Sequence, residues 1–177
     1  MFPGTVSSLS LISSMVPLNC PDTKNIVKGQ WKSIITLSLK FKGFSKSYFR
    51  KFAKNLTNSY DKQLADNMKT LPEIEKKFME EHPEMIKNAV INAVANDGLG
   101  VCYDAYALCL KRDKITISPD IPVYVWYGRE DTTLPMSFTE YFKTAYPVKK
   151  VHIIDNAGHM PYLTSWDEIL EEVNSEW

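Results

Sequence analysis

The run V-Y-V-W-Y, Val123 to Tyr127, constrains this chain more than any other feature. Five consecutive β-branched and aromatic residues leave no polar face to turn toward water. The segment therefore reads as a short strand buried on both faces, as in a parallel sheet covered by helices. The downstream residues agree with that. Phe138, Tyr141, Phe142 and Ala145 recur at helical spacing, and V-H-I-I, Val151 to Ile154, reads as a second strand. A closing helix is expected from about Ser165, as N-cap with Glu168 three residues on, to Val173. Strand, helix, strand and helix at this spacing predict a right-handed βαβ unit over 119–177.

A third strand is expected at the other end of the chain. T-V-S-S-L-S-L-I-S-S, residues 5–14, mixes β-branched and apolar residues with serines and is closed by Pro17, so 1–21 reads as a core strand and its exit. A crossover between parallel strands needs about a dozen residues. The stretch 22–118 is far longer and reads as a helical insertion. Tyr48, Phe49, Phe52, Ala53 and Leu56 form an apolar stripe opposite Lys46, Arg50, Lys51 and Lys54. Pro83 suits a first helical turn, and Ile86, Ala89, Val90, Ala93 and Val94 make a stripe that ends near Asn96-Asp97-Gly98. A further helix is expected over Val101 to Lys111. The fold class is α/β, a partial parallel sheet with a helical insertion.

Composition narrows the function classes. Twenty-one basic residues balance twenty-one acidic ones, so overall charge gives no reason to expect a nucleic-acid partner. Cys20, Cys102 and Cys109 are too few and too irregular for a disulfide framework, which suits a reducing cytoplasm. The apolar N-terminus lacks a basic leader and is interrupted by serines, unlike a signal peptide, and no stretch reaches membrane-spanning length.

In open α/β sheets the chemistry gathers beyond the carboxyl ends of the strands. Asp131 lies four residues past Tyr127 and His159 five past Ile154, so both belong on that edge. A carboxylate there can accept the imidazole Nδ1–H, fix the tautomer and stabilise the imidazolium. Each residue also has an ordinary reading: Asp131-Thr-Thr-Leu-Pro is good turn chemistry by itself, and His159 after glycine can be a satisfied loop residue. A metal set of His152, Asp155 and His159 is disfavoured, because His152 sits within a strand whose neighbouring side chains alternate in direction.

The stretch P-V-Y-V-W-Y-G-R-E-D-T-T-L-P, Pro122 to Pro135, with V-H-I-I-D-N-A-G-H-M-P after it, resembles the C-terminal half of the α/β-hydrolase fold. L-I-S-S-M-V-P, Leu11 to Pro17, resembles the family strand that comes after the nucleophile-bearing helix. The resemblance implies that Asp131 is the acid and His159 the histidine of a Ser-His-Asp triad acting on an ester-type bond. It also implies that 22–118 is a cap and that no cofactor or metal is needed. The departure is equally clear: no G-x-S-x-G nucleophile elbow occurs in the sequence, and the oxyanion-hole donors that accompany it are missing too. Ser13 and Ser14 reach the right edge of the sheet but sit in an ordinary strand exit, and Cys102 and Cys109 read as buried core thiols.

The expected activity is therefore that of an ester hydrolase lacking its serine, inactive on its own. The alternative is a non-catalytic binding or assembly module derived from one. The partners implied are a small ester-like substrate once an upstream segment completes the site, and an anionic surface met through Lys46, Arg50, Lys51 and Lys54. Between Thr23 and Tyr60 there are nine Lys or Arg and no acid, although a merely solvated face is the reading this pattern favours. Finally, the first strand and Val123–Tyr127 are expected to present open edges, which favours self-association.

Overall fold

The computed structural model describes residues 6–23, 25–110 and 116–175. Within them the chain divides into two compact units. One comprises the described parts of Met1–Val16, Leu71–Lys77 and Asp113–Trp177, the other Pro17–Thr70 and the described part of Phe78–Arg112. The stretch 71–77, which the sequence pattern assigns to the insertion, thus packs with the first unit.

The first unit is built on a three-stranded parallel sheet of β1 (Leu9–Ile12), β2 (Val123–Gly128) and β3 (Val148–Ile154), in the order β1-β2-β3. Helix α7 (Ser137–Ala145) connects β2 to β3, and α8 (Tyr162–Asn174) comes after β3. In register, Ile12 faces Trp126, which in turn faces His152, so the carboxyl ends of all three strands lie together. Every residue of β2 is buried. Strand alternation sends Tyr124 and Trp126 to one face, where they pack with Ile169 of α8, Ile12 and Ile154. Burial of side chains this large contributes roughly 1.5–3 kcal/mol each.

The structure corrects several expectations. Val123–Tyr127 is not an open edge: β2 is the central strand, paired on both sides, and β1 and β3 are the edges. The first strand is four residues long rather than ten, because Ser13 turns into the left-handed region at φ 40° and leaves the ladder; Thr5 lies outside the described residues. β3 begins earlier, at Val148, which pairs with Val123. The closing helix begins at Tyr162, and Ser165 is a break within it, at φ −120° and ψ 22°, rather than its N-cap.

The second unit is helical. A 3-10 turn at Pro21–Thr23 precedes α1 (Gln30–Lys40), α2 (Lys42–Asn58) and α3 (Tyr60–Met68). After α4 (Glu73–Glu81), whose first five residues belong to the sheet unit, come α5 (Pro83–Ala93) and α6 (Ala95–Cys109). Pro83 occupies the first turn of α5, where its missing N–H costs nothing. Asn96, Asp97 and Gly98 all have positive φ and break the chain between α5 and the regular part of α6. The helix expected from Val101 to Lys111 ends at Cys109, with Lys111 outside the described residues.

Here α2 packs on α6 through Phe49, Cys102 and Ala105, joined by Ile34, Leu37 and Val101. The buried face of α2 is Ser45, Phe49 and Ala53, one turn apart. Tyr48 and Phe52, read as part of the same apolar stripe, instead remain exposed beside Phe41 and Phe44. With Trp31, Ile34 and Leu37 these aromatics line an open groove of about 960 Å³ within the helical unit. Lys46, Arg50, Lys51 and Lys54 are exposed, but Arg50 pairs with Asp97 at 3.1 Å and Lys46 lies over the Tyr103 ring. Cys102 and Cys109 are buried and free, and burial pushes the Cys109 thiol up. Among the described residues no helix is long and apolar enough to cross a membrane.

Candidate active site

Parallel pairing brings the loops after β2 and β3 side by side, and backbone bonds lock them together. Arg129 N–H donates to Ile154 O at 2.9 Å and Glu130 N–H to Ala157 O at 2.9 Å, while the Arg129 and Asp155 side chains form an ion pair. The approach is so close that a Cβ at Gly128 would overlap the carbonyl oxygens of Ala157 and Gly158. Only glycine lets the loop that carries the histidine lie on the end of β2.

That packing places Asp131 and His159 against each other. His159 Nδ1 is 3.0 Å from Asp131 Oδ2. The Asp131 side chain is fully buried, whereas that of His159 is 44% exposed. Asp131 Oδ1 accepts the N–H groups of Thr133 at 2.7 Å and Leu134 at 2.9 Å. The turn-capping and histidine-pairing roles read separately from the sequence are therefore held by one carboxylate, one oxygen each. Three donors satisfy a charge that would be costly to bury alone.

The bond to Asp131 raises the His159 pKa; burial opposes this, and the charges of Asp131 and Glu75 add to the rise. With Nδ1–H donated to Asp131, the neutral ring carries its lone pair on Nε2, which has no partner among the described residues. Such an imidazole can take a proton at Nε2 while Asp131 stabilises the cation. Tyr127, at the end of β2, donates its hydroxyl to Ser14 O, and burial together with the charge of Asp131 pushes its pKa well above the ordinary phenol value.

Other sequence candidates fall elsewhere. His152 stacks on Trp126 with ring centroids 3.5 Å apart and lies against Glu172, while Asp155 pairs with Arg129. His152, Asp155 and His159 are thus not gathered, and no group of three potential metal ligands occurs among the described residues. Ser13 and Ser14 do lie at the carboxyl edge, yet the exit is not ordinary: Ser13 has φ 40°. Its Oγ is buried, away from solvent, and Ser14 Oγ donates to Ile12 O at 3.4 Å.

Sequence reasoning missed Glu75. It sits in L-P-E-I-E-K-K, inside the stretch 22–118 assigned to the helical insertion, but its side chain is completely buried. The sequence carried no signal for this: Glu75 comes one helical turn after Pro72, but that this side of α4 is the buried one is decided by the fold.

Neither a protein-family model nor a curated protein matches the sequence. Among solved structures the chain is similar to a thermophilic esterase from Thermogutta terrifontis, described with malate bound, at TM-score 0.50 and 17% identity. The match covers 96% of this chain and 54% of the esterase, so the chain spans about half that protein's length. At this identity the likeness is one of fold. The chain has an α/β fold, a three-stranded parallel sheet with many helices, that resembles part of an esterase.

Proposed function

We propose that this chain carries the acid and base of an ester hydrolase, with Asp131 orienting His159 as general base toward a serine outside these 177 residues. The observation that carries the reading is the 3.0 Å contact between His159 Nδ1 and the buried Asp131 Oδ2, beyond the carboxyl ends of two adjacent parallel strands. In the reaction, Nε2 removes the proton of the attacking hydroxyl and later delivers it to the leaving alkoxide. Asp131 holds the tautomer and offsets the positive charge on the ring between those events.

The alternative, a binding or assembly module without catalysis, draws on two facts: the chain spans about half of the esterase it resembles, and it contains no G-x-S-x-G. One experiment separates the two. The chain is assayed on short-chain p-nitrophenyl esters, alone and extended by the in-frame coding sequence upstream of Met1. The extended protein is expected to hydrolyse them, Asp131→Asn to lower kcat by about 10⁴-fold and His159→Ala by about 10⁶-fold. Hydrolysis by the extended protein that is indifferent to both substitutions would refute the proposal, and so would its absence.

A further inference from the structure

Glu75 is fully buried, and its Oε1 accepts two backbone N–H groups: Gly158 at 3.0 Å and Met160 at 2.8 Å. These are the residues on either side of His159. Oε2 is also buried and has no hydrogen-bond partner among the described residues. A Cβ on Gly158 would lie 2.8 Å from Oε1 and 2.9 Å from Oε2, so the glycine is what lets the loop rest directly on the carboxylate. Burying a carboxylate with only one oxygen bonded is costly. An acceptor for two amides does not require an acid, since a glutamine carbonyl would serve, so the choice of a carboxyl group at this buried position needs an explanation.

We infer that Glu75 is a positioning residue for His159, clamping both flanking amides and setting a second carboxylate beside the imidazole. The inference rests on the reading of His159 as a general base. Charged groups act on the ring from two elements, Asp131 from the loop after β2 and Glu75 from α4. Asp131 fixes the tautomer through Nδ1, and Glu75 fixes the backbone that carries the ring. Together they favour the imidazolium that forms when Nε2 accepts the hydroxyl proton, and only a proton moves in that step.

The test is NMR titration of the histidine Cε1–H signals in the 177-residue chain, with His159 assigned by its loss in His159→Gln. Glu75→Gln keeps an acceptor for the Gly158 and Met160 amides and removes the charge. It is expected to lower the His159 midpoint while His152 titrates as before. Glu75→Ala is expected in addition to remove the exchange protection of those two amides. An unchanged His159 midpoint in a folded Glu75→Gln protein, where Asp131→Asn does lower it, overturns this inference alone. If Asp131→Asn also leaves the midpoint in place, the acid–base pair itself fails. Should Glu75→Gln not fold, the Glu75 Cδ shift of the parent chain decides: an inflection at the His159 midpoint supports the contact, and none overturns it.

Discussion

Replacing Gly128 by alanine tests the packing that brings the two loops together. The added methyl would overlap the carbonyl oxygens of Ala157 and Gly158, both backbone atoms that no rotamer change can move aside. The loop after β3 must therefore shift away from β2. Overpacking of this kind costs roughly 1–3 kcal/mol. Separating the loops also breaks the 2.9 Å bonds from Arg129 N–H to Ile154 O and from Glu130 N–H to Ala157 O, about 1 kcal/mol each. The lower entropy of the unfolded alanine chain returns about 0.4–1 kcal/mol. The expected net loss is about 2–5 kcal/mol, large against a typical domain stability of about 5–15 kcal/mol. Gly43→Ala is the control: the same methyl in α2 meets nothing within 4 Å and should stabilise by up to about 1 kcal/mol. Urea unfolding monitored by circular dichroism, with amide exchange at Arg129 and Glu130, reads both variants. Gly128→Ala should lower the unfolding midpoint and lose protection at those two amides, and His159 should titrate nearer its ordinary pKa of 6.5. A Gly128→Ala protein within about 0.5 kcal/mol of the parent, the scatter of neutral surface substitutions, would refute the argument.

The same geometry makes two further outcomes testable. The two strand-associated histidines should titrate on opposite sides of 6.5, His159 above it through its bond to Asp131 and His152 below it through burial. The stability contributed by the His159 pair is then full below pH 6.5 and lost as pH rises through the elevated midpoint, whereas that associated with neutral His152 is lost as pH falls below 6.5; histidine NMR titration checks the order, and the reverse order would contradict it. On β1, Leu9 and Ser13 donate their N–H groups to Pro122 O and Trp126 O, so strand alternation points the Ser10 N–H outward along the edge. Ser10→Pro should therefore reduce self-association in sedimentation velocity while leaving the β1–β2 ladder intact, and an unchanged oligomer distribution would remove β1 from the interface.

Much of this fold is legible because its signals are local. The run V-Y-V-W-Y can be soluble only inside a covered sheet, and the single helix between it and V-H-I-I makes the strands parallel. Parallel strands put Asp131 and His159 on one edge, and the two residues do meet there. The break at Asn96-Asp97-Gly98 is equally local, since asparagine, aspartate and glycine tolerate the left-handed turn found there. Ser165 misled because a good capping residue is judged by its neighbours, whereas the helix start at Tyr162 depends on how the chain leaves the His159 loop. Tyr48 and Phe52 misled similarly: periodicity finds an apolar stripe but not how much of it a partner helix covers.

Sequence by itself therefore determined the element types, the parallel order and the edge on which an acid and a histidine would gather, because periodicity and chain direction dictate these. Tertiary structure alone decided that β2 lies at the centre, that Gly128 and Gly158 are glycines because backbone and carboxylate press against them, and that Glu75 is buried beneath the histidine loop. The last contact joins residues 83 positions apart. No local pattern encodes it, because a glutamate on an amphipathic helix becomes buried only when a distant loop folds over it.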